Sequence, residues 1–154
     1  MPIYYFDSSA AVKKYVAEIG TGWVLTLFKP SANNVIYVSQ ISGVEVVSAF
    51  SRRFRLGSLT QKAAQKSIAR FKRDFQIRFR VLGLNDIIVF DAMRLSETYG
   101  LRGYDSVQLA VAIELEDRLV SSNLSSITFV SADNSLNQAT QTEGLSVDNP
   151  NNHP

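Results

Sequence analysis

The chain has 154 residues, 45% of them hydrophobic, which suits one domain whose core needs no disulfide or structural zinc. It contains no cysteine and one histidine, His153, so thiolate metal sites, iron–sulfur clusters and Cys nucleophiles are excluded, and imidazole sites and Ser-His-Asp triads nearly so. The net charge of +2 conceals an asymmetry, because residues 52–80 carry +9 and the remainder −7.

In chain order, residues 3–6 form a short apolar run that ends at Asp7. Ser8 and Ser9 then open a helical pattern through Ala10, Ala11, Val12, Tyr15 and Val16. Trp23, Val24, Leu27 and Phe28 mark a second short helix after Gly20 and Gly22, and residues 30–34 read as a loop. Residues 35–39 are β-branched and aromatic, as strands are. A helix is expected over 41–54, and a long basic helix from an N-cap at Thr60 to about Phe79. A strand follows at 81–84. Asn85 caps a helix over 86–99, which Gly100 ends at the position after its last turn. Residues 105–119 form a strongly apolar helix, 127–130 a strand, 135–142 a helix and 145–147 a last short strand. Residues 148–154 read as a loose polar tail.

Short, near-continuous apolar strands alternating with helices predict a three-layer α/β/α fold around a mostly parallel sheet. The predicted organisation is one domain over residues 1–147, with a helical hairpin at 41–80 inserted between strands. The opening residues have no basic region before an apolar run, so no signal peptide is expected. No run of about 18 apolar residues could span a membrane, and the cytoplasm is the expected location.

Ligand sites of open parallel sheets lie beyond the carboxyl ends of the strands. Asp7 follows the first strand and Asp133 the fourth. Taken singly, each is also an ordinary helix N-cap. Glu45 lies among Ile41, Val44, Val46, Val47, Ala49 and Phe50, and Asp105 precedes Val107, Leu109, Ala110 and Val111. Carboxylates on such apolar helices are seldom fully buried without a partner. Two carboxylates 4 Å apart repel by about 4 kcal/mol at an effective dielectric of 20. Four converging at one sheet edge call for a divalent cation, and all-oxygen ligands suit Mg²⁺ or Mn²⁺. A metal-dependent adhesion site is the nearest alternative. It needs Asp-x-Ser-x-Ser, whereas here Asp7 and Ser9 are followed by Ala11, and it leaves Glu45 and Asp105 without a role.

Four segments carry a family resemblance: Tyr5-Phe6-Asp7-Ser8-Ser9-Ala10-Ala11-Val12-Lys13-Lys14-Tyr15, Ser42-Gly43-Val44-Glu45-Val46-Val47-Ser48-Ala49, Leu101-Arg102-Gly103-Tyr104-Asp105-Ser106-Val107-Gln108-Leu109-Ala110, and Phe129-Val130-Ser131-Ala132-Asp133-Asn134-Ser135-Leu136. In this order the chain resembles a PIN-domain ribonuclease, most closely a VapC-like toxin of a toxin–antitoxin pair. The resemblance implies that Asp7, Glu45, Asp105 and Asp133 hold Mg²⁺ or Mn²⁺ for hydrolysis of RNA phosphodiesters. It implies Ser131, and less directly Ser8, as hydrogen-bonding support for that site. It implies a small antitoxin covering the active-site groove, for whose walls Trp23, Phe28, Phe50 and Phe54 are candidates, and a homodimer. Arg52, Arg53 and Arg55, with Arg102, are candidates for RNA phosphate contacts. A PIN-like module that binds RNA or protein without cutting it is the remaining alternative, and a nuclease assay separates the two.

Overall fold

Five short strands pair into one sheet: β1 (Ile3–Phe6), β2 (Val35–Ser39), β3 (Arg80–Leu82), β4 (Ile127–Val130) and β5 (Ser146–Asp148). The computed structural model describes residues 1–154. The strand order is β3-β2-β1-β4-β5 and every pairing is parallel, so the sheet expected to be mostly parallel is wholly so. Helices fill the crossovers: α1 (Ser8–Val12), α2 (Thr21–Leu27), α3 (Gln40–Arg55), α4 (Gln61–Ile77), α5 (Asp86–Tyr99), α6 (Gly103–Ser121) and α7 (Asn134–Thr142).

The strand alternation divides the core between two faces. Ile3, Tyr5, Ile127 and Phe129 pack with α5, α6 and α7 on one side of the sheet. Phe6, Ile36, Val38 and Val130 pack with α1, α2, α3 and α4 on the other. The result is the α/β/α sandwich that both-face burial of the strands requires. The chain runs outward from β1 through β2 to β3, then returns to place β4 on the far side of β1. That reversal makes the carboxyl ends of β1 and β4 the topological switch point.

The caps expected at Thr60 and Asn85 form, the former accepting from Ala63 N at 3.1 Å and the latter from Ile88 N at 2.9 Å. Gly100 ends α5 in the left-handed region at φ +65°. Several bounds differ from the sequence reading. α1 stops at Val12, because the amides of Lys13, Lys14 and Tyr15 bond three residues back and tighten the chain. The loop at 30–34 contains a 3₁₀ turn, Pro30–Ala32. β3 is an edge strand with Arg80 and Val81 exposed.

The segment read as a loose tail is packed. Asp148 belongs to β5, Pro150–Asn152 forms a 3₁₀ turn, and Pro150 is buried. The His153 ring stacks on Trp23 with centroids 4.2 Å apart, and its Nε2 lies 2.7 Å from Asp148 Oδ1. Gly20, at φ +86°, permits this docking, since a Cβ there would lie 2.3 Å from the Pro150 carbonyl oxygen.

Candidate active site

Asp7, Glu45, Asp105 and Asp133 line one cleft of about 550 Å³ beyond the carboxyl ends of β1 and β4. Four segments deliver them. Asp7 is both the residue after β1 and the N-cap of α1, its Oδ1 accepting from Ala10 N at 2.9 Å. Glu45 rides on α3, Asp105 sits in the first turn of α6, and Asp133 caps α7 by accepting from Leu136 N at 2.9 Å. Ordinary capping physics thus places two of the acids, and the topology brings the others to the same edge.

Asp7 is the most constrained. Ser9 Oγ donates to its Oδ1 at 2.7 Å, and Ser131 Oγ donates to its Oδ2 at 2.7 Å. Ser131 Oγ in turn accepts from Asp133 N at 3.0 Å, and Ser9 Oγ from Ala132 N at 2.9 Å. Burial pushes the Asp7 carboxyl up to about 6, against the pull of these donors, and the Asp105 charge adds to the rise. Asp105 is also raised, first by burial, then by the charges of Asp133 and Glu45, with Arg102 opposing. These carboxylates therefore feel one another across the cleft.

The four acids do not close around a common point as a preformed cage of three His, Cys, Asp or Glu ligands would. Each is held by its own segment, and like charges favour separation. The donor set nevertheless fits a hard divalent ion. It consists entirely of oxygen, and Asp7, Glu45 and Asp133 each commit only part of their acceptor capacity to the protein.

Of the arginines expected near RNA, Arg52, Arg53 and Arg102 line the cleft. Arg53 is paired with Glu18 at 3.2 Å. Arg55 is exposed and does not line the cleft. The aromatic walls expected for a partner groove fare differently. Phe50 is fully buried, Phe28 packs edge-on against Phe6 and Phe79, and Trp23 is covered by His153. Phe54 alone of the four is open to solvent, because the others serve the core behind α1 and α3. The exposed apolar residues on the cleft itself are Val44 and Tyr104.

Three site residues escape a reading of the acids alone. Ser9 is described above. Lys13 lines the cleft, held by the Ile19 carbonyl at 2.8 Å and 3.7 Å from Glu18. Gln108, one turn after Asp105, is 1% exposed, and the two N–H donors of its Nε2 are shared among Glu45 Oε1 at 2.8 Å, Ser42 Oγ at 2.9 Å and Ser8 Oγ at 3.1 Å. The signal for Gln108 was its position, a long polar side chain inside the run from Val107 to Val111.

Comparison with known proteins agrees with this architecture. The PIN domain model matches residues 4–134. Ribonuclease VapC45 and ribonuclease VapC49, both of Mycobacterium tuberculosis, are each 30% identical over 117 residues, covering 76% of this chain and 79% of theirs. Among solved structures, FitAcB from Neisseria gonorrhoeae aligns with a TM-score of 0.66 at 15% identity, over 96% of this chain and 97% of that one. VapBC2 from Rickettsia felis, bound to a promoter DNA fragment, aligns at 0.60 and 18% identity over 96% and 98%. A toxin–antitoxin complex from Klebsiella pneumoniae aligns at 0.60 and 16% identity over 96% and 97%. The chain belongs to the PIN domain family and is VapC-like within it.

Proposed function

We propose that this chain is a metal-dependent ribonuclease that hydrolyses RNA phosphodiester bonds as the toxin of a toxin–antitoxin pair. The observation that carries the proposal is the gathering of Asp7, Glu45, Asp105 and Asp133 on one cleft at the switch point of the sheet. The curated relatives named ribonucleases support the reaction class. Asp7, Glu45, Asp105 and Asp133 would hold Mg²⁺ or Mn²⁺, which supplies an activated water and charge stabilisation at phosphorus. Ser9 and Ser131 fix both oxygens of Asp7, so its remaining lone pairs keep one direction. Arg52 and Arg102 stand on the cleft to receive the flanking phosphates.

The test is cleavage of RNA with Mg²⁺ or Mn²⁺. Asp7→Asn and Asp105→Asn should each abolish it while circular dichroism shows the fold retained, and EDTA should stop the wild type. Full activity in either variant, or in EDTA, contradicts the proposal.

The same reading assigns partners and places the reaction in the cytoplasm with its RNA. The Klebsiella neighbour is a toxin–antitoxin complex, which supports a small antitoxin on this chain too. Val44 and Tyr104, 67% and 58% exposed on the cleft, offer such a segment apolar contact. For the homodimer, α5 presents Ile87, Phe90 and Met93, each at least 60% exposed. Three large apolar side chains on one stretch of helix suit a self-complementary contact. Phe90→Glu should convert a dimer to a monomer in sedimentation, and a wild type that sediments as a monomer at all concentrations rejects the dimer.

A further inference from the structure

Gln108 is the fully buried amide of the molecule's active-site half, and its two ends face opposite chemistries. Its Oε1 accepts from the Tyr5 hydroxyl at 2.6 Å. Its Nε2 meets Glu45 Oε1, Ser42 Oγ and Ser8 Oγ. The orientation follows from the partners. A carboxylate only accepts, so the NH₂ must face Glu45, and the carbonyl is left for Tyr5. Tyr5 is itself fully enclosed, 0% exposed and stacked on Phe129 at 5.4 Å.

We infer that Gln108 is a positioning residue for the metal site, a link through which the sheet fixes Glu45 and, with it, Ser8 and Ser42. The inference rests on the metal-dependent reading of the cleft. Tyr5 and Gln108 come from β1 and α6, whereas Glu45 comes from α3 on the opposite face of the sheet. Glu45 has no other hydrogen bond to set its rotamer, and one of its oxygens is taken by Gln108. The amide therefore leaves the second oxygen of Glu45 uncommitted, on a residue that lines the cleft Asp7, Asp105 and Asp133 share. An unsupported Glu45 would sample several rotamers, each presenting its oxygens differently to a cation. Loss of such an outer hydrogen bond costs about 10- to 100-fold in metal affinity or activity.

The experiment measures Mn²⁺ binding to the RNA-free protein by electron paramagnetic resonance, beside RNA cleavage and thermal melting. Gln108→Met keeps the volume and removes the amide. It should weaken Mn²⁺ binding and slow cleavage about 10- to 100-fold, with some loss of thermal stability because the Tyr5 hydroxyl is left without a partner. Tyr5→Phe should weaken Mn²⁺ binding in the same direction by less, since the amide is then free to turn. The double variant Tyr5→Phe with Gln108→Met removes both polar partners and should recover thermal stability but not Mn²⁺ affinity. Recovery of both together would assign Gln108 a purely structural role and overturn the inference, as would wild-type Mn²⁺ affinity in Gln108→Met. If Gln108→Met does not fold, Tyr5→Phe decides alone, and an unchanged Mn²⁺ midpoint overturns the link. A wild type that binds no Mn²⁺ rejects the metal-dependent reading itself, a different result from an intact site insensitive to Gln108.

Discussion

Asp7 carries a stability cost that follows from its place in the cleft. Its residue is 4% exposed, and its carboxyl rises from an ordinary 3.8 to about 6. Below pH 3.8 the folded and unfolded chains both hold the proton, so the group is neutral to stability. Between 3.8 and 6 the unfolded chain loses its proton first, and stability falls as pH rises. Above 6 the whole penalty is present, roughly 3 kcal/mol. In metal-free protein, Asp7→Asn should therefore raise the melting temperature at pH 7.5 by several degrees, and the gain should shrink toward pH 4.5. Melts in EDTA across that range check this, and a gain independent of pH contradicts the assigned cause. An inactive variant more stable than the wild type is the signature of a residue kept for chemistry. The four acids were legible in the sequence as a set: Glu45 and Asp105 because carboxylates on apolar helices are seldom buried without a partner, and Asp7 and Asp133, each also an ordinary helix N-cap, only beside them. Gln108 was not, because a neutral polar residue on a helix usually faces water. Its role depends on Tyr5, 103 positions away, and on α3 crossing to meet it.

The elements show the same division between local and distant information. Strand and helix alternation, the caps at Thr60 and Asn85 and the stop at Gly100 depend on neighbouring residues, and they appear where the sequence puts them. The docked segment after β5 depends on Trp23 meeting His153 and on the space above Gly20, and no local pattern announces that. The α3–α4 hairpin is anchored in a comparable way. Asp74 was visible only as the single acid among ten bases, but in the fold it is buried and ion-paired with Lys14, and the Tyr15 hydroxyl donates to it at 3.0 Å. Lys14 Nζ also lies 4.7 Å from the Tyr15 ring centre and 4.9 Å from that of Phe28. The contacts tie α4 to the tightened turn that ends α1. Removing one partner of a buried pair leaves the other charge uncompensated. Asp74→Ala should cost about 3–5 kcal/mol in urea unfolding, and the paired change Lys14→Met with Asp74→Leu should cost clearly less. A double variant as unstable as Asp74→Ala would show that packing rather than the stranded charge sets the loss.

At the scale of the whole molecule, the basic residues of 52–80 do not all serve the cleft. Arg52 and Arg53, at the end of α3, line the cleft, where Arg102 from the turn before α6 joins them. Lys62, Lys66 and Lys72 are exposed along α4 and line no part of it. Arg70 and Arg78 lie near the Lys14–Asp74 pair and bias its ionisation. The composition could locate the charge on a segment but not on a surface, because helix phase and hairpin docking decide which side chains face the acids. The two groups differ in what they predict for RNA. Phosphate contacts release counterions, so each contact contributes about 0.7 to the slope of log affinity against log salt for a single strand. With cleavage suppressed by EDTA, Arg52→Ala and Arg102→Ala should each lower that slope by about 0.7 and weaken binding. Lys62→Ala and Lys66→Ala should leave it nearly unchanged. Filter-binding titrations of a short single-stranded RNA across a series of salt concentrations make the comparison. Slope changes in the two lysine variants with none in the two arginine variants would mean that RNA tracks along α4 instead, and that the acids are reached from the hairpin side rather than between α3 and α6.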